Sequence, residues 1–149
     1  MTPMALTVNY QGGTKFGVRV RQHTLIQDQP IDDGGTDEGP SPVEVFMGSL
    51  AGCVGYFVAR FCQRHAISAQ GLSIEAQWAY AEHPHRVGSV ALTVTLPEAS
   101  LTPDQQEKLL KVAHGCTVHQ SLLTPPELSL VLHDAGASPS PAQTQGASR

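Results

Sequence analysis

The stretch Gly39–Cys53, GPSPVEVFMGSLAGC, decides the fold that the sequence predicts. Ser41 can act as the N-cap of a helix, and Pro42 suits the first helical position. Glu44 comes three residues after the serine, which is the pattern of a capping box. The helix is predicted to continue to about His65, which makes it the longest element of the chain.

Apolar side chains cover most of the circumference of this predicted helix. They are Val43, Phe46, Met47, Leu50, Ala51, Val54, Phe57, Val58 and Phe61. One small domain can hardly surround a helix that is apolar on nearly all sides, so a second copy of the chain is predicted to cover part of it. Charged, polar and glycine residues, among them Glu44 and Arg60, are predicted to interrupt the stretch too often for a membrane span.

The composition excludes several classes of partner and setting. The chain has 149 residues, enough for one domain with a core, and 40% of them are apolar. The net charge of −4, without a run of lysine or arginine, argues against nucleic acid and membrane partners. Three cysteines without a CxxC pair, and no signal peptide pattern at the N-terminus, predict a reducing, cytoplasmic location.

The remaining segments predict an α+β domain over residues 1–133. Alternating apolar and polar residues predict strands at ALTVNY (5–10), FGVRV (16–20), HTLIQD (23–28), LSIEAQWAYA (72–81), VGSVALTVTL (87–96) and PPELSLVLH (125–133). Thr102 is predicted to cap an amphipathic helix, and CTVHQSLL (116–123) is predicted to form a shorter one. Residues 134–149 are small, polar and proline-broken, so a disordered C-terminal tail is predicted.

The three cysteines differ in their predicted surroundings. Cys62 follows Cys53 by nine residues, and nine helical steps of about 100° place it on the opposite face, where it fills the core. Cys116 is predicted to begin a helix, where the helix dipole and unpaired N–H groups favour the thiolate. Spacing alone leaves open whether Cys53 and Cys116 are a reactive pair or two buried core thiols.

Cys53 has no helix terminus beside it and would need a nearby cation to ionise. The early strands offer Lys15, Arg19 and Arg21 for this role. His119 follows Cys116 by three residues, but one pair of ligands does not make a zinc site. No metal and no cofactor is therefore predicted.

Three motifs, taken in order, resemble those of one family. GPSPVEVFMGSLAGC (39–53), HPHRVGSVALTVTL (83–96) and CTVHQSLL (116–123) are similar to the osmotically inducible protein C family, which includes the organic hydroperoxide resistance proteins. The resemblance covers roughly residues 4–133. It implies an OsmC-like α+β fold, in which an intertwined homodimer places two-sheet β structure around long central helices.

The same resemblance implies a thiol-dependent peroxidase that acts in oxidative-stress defence. Cys53 matches the family's attacking cysteine and Cys116 its resolving cysteine, and a dithiol of the lipoyl type is the implied reductant. In the hydroperoxide resistance proteins a glutamate directly follows the proline, whereas here Val43 takes that place. Glu44 comes one residue later, a rotation of about 100°, so it is either a catalytic residue or only the capping-box acceptor.

Arg19 is the natural counterpart of the arginine that the resemblance implies, and its alternative is a solvated strand charge. The predicted substrate is an organic hydroperoxide, with hydrogen peroxide reduced more slowly. A second hypothesis is a non-catalytic OsmC-like protein that binds an apolar ligand at the dimer cleft. A third is a thiol-dependent enzyme that acts on something other than a peroxide.

Overall fold

The computed structural model describes residues 4–136 and the backbone of residues 143–145, which form an α+β structure as the sequence predicts. The elements in chain order are β1 (Thr7–Gly12), β2 (Lys15–Val20), β3 (His23–Gln27), α1 (Pro42–Arg64), β4 (Ser73–Glu82), β5 (His85–Thr95), α2 (Pro103–His114), α3 (Thr117–Leu123), β6 (Leu128–Leu130) and β7 (Gln143–Gln145). A single 3-10 turn at Ile31–Asp33 lies between β3 and α1. The turn and β7 are the two elements that the sequence did not predict.

The chain divides into two compact units, and α1 begins in the first and ends in the second. The first unit contains residues up to Gly52 together with Ile74–Val94. In it, β1, β2 and β3 form an antiparallel sheet in sequence order, with Val18 opposite Val8 on one side and Leu25 on the other. A second sheet consists of β4 and β5. The strands of both sheets were predicted from alternation.

One buried carboxylate organises the loop between β3 and α1. Asp28 is almost fully buried, and its two oxygens accept hydrogen bonds from the hydroxyls of Thr14 at 2.6 Å and Thr36 at 2.7 Å. The backbone N–H groups of Gln29, Thr36 and Glu38 also donate to it, at 2.8, 3.1 and 3.2 Å. These hydrogen bonds, that from Thr14 first, hold the pKa of Asp28 far below its usual range. The Asp28 carboxylate, ionised at neutral pH, therefore holds the loop that precedes α1 in place through these hydrogen bonds.

The same loop packs closely against the strands. A Cβ atom added at Gly39 would collide with the backbone of Ile26 in β3, and one added at Gly35 would collide with the backbone of Gln29. Lys15 Nζ forms an ion pair with Glu38 Oε1 at 2.7 Å, and the hydrogen bond from Lys15 is the main cause that lowers the pKa of Glu38. Lys15, one of the cations predicted for the thiol, is thus engaged by a carboxylate of its own unit.

The second unit contains Cys53–Ser73 and the chain from Thr95 onward. Its buried side chains come from α1, α2 and the start of α3: Val54, Val58, Phe61, Cys62, Leu109, Ala113 and Cys116. Thr102 caps α2 as predicted, and the side chain of Gln105 completes a capping box with it. The backbone of β7 pairs with β6 in antiparallel register.

The predicted tail falls mostly outside the described residues. Positions 137–142 and 146–149 of it are not described, and β7 lies between them. The domain boundary after residue 133 and the disorder of the tail therefore stay predictions.

α1 buries one stripe and leaves another face open. Met47, Leu50, Val54, Val58, Phe61 and Cys62 are the buried residues of α1. Gly48 and Gly52 have open space where a Cβ atom would stand, and Tyr56 is 57% exposed. The described residues do not cover this second face, and the sequence-based prediction gives part of the helix surface to another copy of the chain.

By length and composition alone, α1 could cross a membrane. Its most apolar window of 18 residues has a mean hydropathy of 1.5, and 33% of that window is buried inside the chain. The prediction that polar residues interrupt the stretch too often was therefore too strong. Composition cannot distinguish a membrane span from the central helix of a soluble fold, because both are long and apolar.

Candidate active site

The first turn of α1 contains the predicted capping box. The N–H of Ser41 donates to Glu44 Oε2 at 2.7 Å, and the N–H of Glu44 donates to Ser41 Oγ at 3.3 Å. The hydrogen bond from the Ser41 N–H is the main cause that lowers the pKa of Glu44. The prediction of a capping box is confirmed. The carboxylate of Glu44 accepts its hydrogen bond from the Ser41 N–H at the start of α1.

Two of the three cysteines lie side by side in the second unit. Cys53 is half-buried in the middle of α1, and Cys116 is fully buried as the N-cap of α3. The Cys116 Sγ accepts a hydrogen bond from the His119 N–H at 3.3 Å. The Cys53 thiol lies close enough to the Cys116 thiol to help raise its pKa. Residues 63 positions apart are thereby brought together as a free thiol pair.

The pKa of the Cys116 thiol is raised overall, whereas its position at the start of a helix would by itself lower the pKa. Burial, the largest cause, raises the pKa of the Cys116 thiol, and the contact with Cys53 raises it further. Hydrogen bonds from the N–H groups of His119 and Val118 lower it, but less. The N–H groups at the helix terminus favour the thiolate as expected, but loss of water outweighs them and the net shift of the pKa is upward. At neutral pH Cys116 is a thiol.

Cys62 occupies the core, as predicted. Its side chain is fully buried, and burial raises its pKa. The nine-residue separation from Cys53 thus corresponds to two different environments on one helix, one half-buried and one fully enclosed.

Arg19 lies on β2 in the first unit, where it is exposed and faces Thr7 and Thr24 in the neighbouring strands. Arg21 lies in the turn that follows, with a positive φ of 52°. Among the described residues, neither arginine has an ion pair. The role of Arg19 toward a thiol stays a proposal.

A groove in the second unit was missed by the sequence analysis. It has a volume of about 670 Å³ and is formed by α1 and α2, with Phe57, Phe61 and Val112 as apolar lining and Arg60, Arg64 and Lys111 as basic lining. The spacing of these residues in the sequence could have predicted the groove. The residues that follow Cys53 by three, four, seven, eight and eleven positions lie with it on one helical face, and they are Tyr56, Phe57, Arg60, Phe61 and Arg64.

No group of three or more His, Cys, Asp or Glu side chains suited to a metal ion occurs in the described part of the chain. His119 does stand next to the thiol pair, but its contact with Cys116 is made by its backbone N–H. Its ring lies 5.2 Å from the ring of His114.

A comparison with family models identifies the family to which this chain belongs. The model described as OsmC-like protein matches residues 35–131, which include α1, both cysteines of the pair and the groove. The chain belongs to the OsmC-like family. In this OsmC-like chain, α1 lies within the matched domain, which identifies it as a core helix of the fold rather than a separate membrane segment.

Solved structures show the same OsmC-like fold. A protein from Psychrobacter arcticus, titled for an osmotic stress induced and detoxification response, is 27% identical with a TM-score of 0.73, over 81% of this chain and 90% of that one. An organic hydroperoxide resistance protein from Legionella pneumophila is 20% identical with a TM-score of 0.62, over 82% and 91%. One from Elizabethkingia anophelis is 16% identical with a TM-score of 0.60, over 80% and 89%. No curated protein matches this chain significantly.

Proposed function

We propose that this OsmC-like chain is a thiol-dependent peroxidase that reduces organic hydroperoxides in oxidative-stress defence. The observation that carries the proposal is the proximity of Cys53 and Cys116, two free thiols from distant parts of the chain. The family, some of whose members are named for organic hydroperoxide resistance, is consistent with it. Location in the cytoplasm is part of the proposal, because a reducing compartment keeps such thiols free.

The proposed cycle uses each cysteine once. The Cys53 thiolate sulfur bonds to the hydroperoxide oxygen, the O–O bond breaks, and the alkoxide takes a proton and leaves as an alcohol. The resulting sulfenic acid condenses with the Cys116 thiol, which forms a disulfide and releases water. An external dithiol, of the lipoyl type by family resemblance, then returns both cysteines to thiols and becomes a disulfide itself.

The environments of the two thiols favour this division of roles. Cys53 is half-buried and accessible to a substrate, whereas Cys116 is enclosed and protonated at neutral pH. A buried thiol close to Cys53 is positioned to attack a sulfenic acid formed there. Cys62 has no such contact and is left out of the cycle.

The function is tested by stopped-flow measurement of peroxide consumption by the reduced full chain with dihydrolipoamide present. We expect cumene hydroperoxide to react about tenfold faster than hydrogen peroxide. Cys53 is followed on its helix by Val54 and Phe57, and burial of about 60 Å² of the aryl group at ~25 cal/mol per Å² corresponds to about 1.5 kcal/mol. Equal rates for the two peroxides, or rates no higher than that of free cysteine, would contradict the proposal.

We propose that Arg19 supplies the positive charge that promotes attack by Cys53, and that Glu44 acts as a helix cap. Arg19→Ala should slow the first step of the stopped-flow reaction about tenfold, while Arg21→Ala, a matched loss of charge, should leave it unchanged. Glu44→Gln should preserve both the rate and the melting temperature, because glutamine accepts the same hydrogen bond from Ser41. Loss of activity in Glu44→Gln at an unchanged melting temperature would assign Glu44 a catalytic role instead.

We also propose that the protein is a homodimer. The support is the open face of α1, where Gly48 and Gly52 leave room for a close neighbour and Tyr56 is exposed. Sedimentation at micromolar concentration reports the mass directly, since one chain weighs 15.8 kDa.

A second candidate function is non-catalytic binding of an apolar ligand. The apolar lining of the groove between α1 and α2 favours it, since 670 Å³ lies within the usual size range of small-molecule sites. The two functions differ in one readout, because a binding protein does not consume peroxide.

A further inference from the structure

One cysteine of the thiol pair is also the first residue of a helical turn. Cys116 is the N-cap of α3, and its sulfur accepts the hydrogen bond from the His119 N–H at 3.3 Å. Its carbonyl oxygen accepts the Gln120 N–H at 2.9 Å. The sulfur that enters the disulfide in the proposed cycle therefore also holds the start of α3.

Within its own chain, α3 depends on Cys116 for its attachment. Cys116 is fully buried, whereas none of the seven residues of α3 is. One side-chain link joins α3 to the end of α2, since Gln120 Nε2 donates to the His114 carbonyl at 2.8 Å. A helix of two turns is marginally stable by itself, so its start depends strongly on the cap.

Disulfide formation changes the position of the capping atom. In the free thiol, the Cys116 sulfur can turn about its side-chain bond to face the His119 N–H. In the disulfide, the bond to Cys53 sets the direction of that sulfur instead. The side-chain orientation that caps α3 and the orientation that bonds to Cys53 thus compete for one atom.

We propose that the Cys53–Cys116 disulfide loosens α3 and thereby opens the enclosed end of the thiol pair to the reductant. This inference rests on the proposed function, in which the disulfide is the oxidised state. Thiol–disulfide exchange requires the attacking sulfur to reach one end of the S–S bond. The Cys116 end is fully enclosed while α3 is capped, and release of α3 exposes it.

The exchange then proceeds in two balanced steps. One thiolate of the dithiol bonds to the Cys116 sulfur, the S–S bond breaks, and the Cys53 thiolate leaves and takes up a proton. The second thiol of the dithiol loses its proton and bonds to the first sulfur of the reductant, which releases Cys116 as a thiol and the reductant as a cyclic disulfide. The free Cys116 sulfur caps α3 again and encloses the pair.

The test is amide hydrogen exchange of the full chain, reduced and after oxidation with diamide, which joins two thiols without a peroxide. Peptide mapping verifies that the bond is Cys53–Cys116. The amides of residues 117–124 should exchange about fivefold faster in the disulfide, while those of α2 should change less than about twofold. Cys116→Ser is the matched control: serine keeps a cap and cannot form the bond, so diamide should leave its α3 unchanged.

A stabilised α3 tests the consequence for the reductant. Thr117→Ala/Ser121→Ala raises the helix propensity at two exposed positions and leaves the charge as it is. This double variant should slow reduction of the diamide-formed disulfide by dihydrolipoamide about threefold. Its rate of cumene hydroperoxide consumption in a single turnover should equal that of the unaltered protein.

The outcomes separate this proposal from the peroxidase proposal. Equal exchange of α3 in the two states, faster exchange in diamide-treated Cys116→Ser, or an unchanged reduction rate in the double variant would overturn it. If diamide does not join Cys53 to Cys116, the peroxidase cycle and this proposal fail together. If the bond forms and α3 loosens but no peroxide is consumed, only the peroxidase proposal fails.

Discussion

Cys53→Ser is expected to lower the rate of organic hydroperoxide reduction by about 10⁴-fold or more, to that of the uncatalysed reaction. A thiol ionises close enough to neutral pH to act as a nucleophile, whereas a serine hydroxyl needs an adjacent base to do so. Serine is nearly isosteric with cysteine, so the half-buried position in α1 should accept it without unfolding. Stopped-flow consumption of cumene hydroperoxide with excess dihydrolipoamide measures the loss.

Cys62→Ala is the matched control for this experiment. Cys62 lies on the same helix but is fully buried, so the change should lower stability by about 1 kcal/mol and leave the peroxide rate intact. If the unaltered protein and Cys53→Ser both react no faster than free cysteine, the peroxidase proposal fails. The apolar-ligand binding protein then becomes the better account.

Cys116→Ser is expected to abolish multiple turnover and leave one turnover per chain. Without the second thiol, Cys53 should stop at the sulfenic acid, which dimedone trapping and mass spectrometry detect. Serine is a favoured N-cap and can accept the His119 N–H in place of the sulfur, so the start of α3 should be retained. The effect would then report chemistry rather than unfolding.

The unaltered protein should instead form a Cys53–Cys116 disulfide after mild peroxide treatment. Because burial raises the pKa of Cys116, the thiolate that closes the disulfide forms more readily at higher pH, and disulfide formation should accelerate as the pH rises. Peptide mapping identifies the bond. A major product that contains Cys62, or full multiple turnover in Cys116→Ser, would contradict the assignment of these roles.

The sequence by itself determined the elements whose signals are local. Ser41, Pro42 and Glu44 predict the start of α1 because capping contacts join residues only three apart, and the structure contains those hydrogen bonds. Strand alternation located β1 to β6 for the same reason, since side chains in a strand change face at every residue. The burial of Cys62 was predicted from helix geometry and from the tendency of free cysteine to be buried.

Only the tertiary structure decided the features that depend on distant residues. In the sequence, Asp28 is one acidic residue at the end of a predicted strand. It becomes the buried acceptor that holds the loop only because Thr14 and Thr36 fold against it and donate hydrogen bonds. The groove needs two helices, of which the first ends at Arg64 and the second begins at Pro103. Cys116 shows the physical reason most directly: its position at a helix start is local and favours the thiolate, but burial by the rest of the unit raises its pKa and prevails.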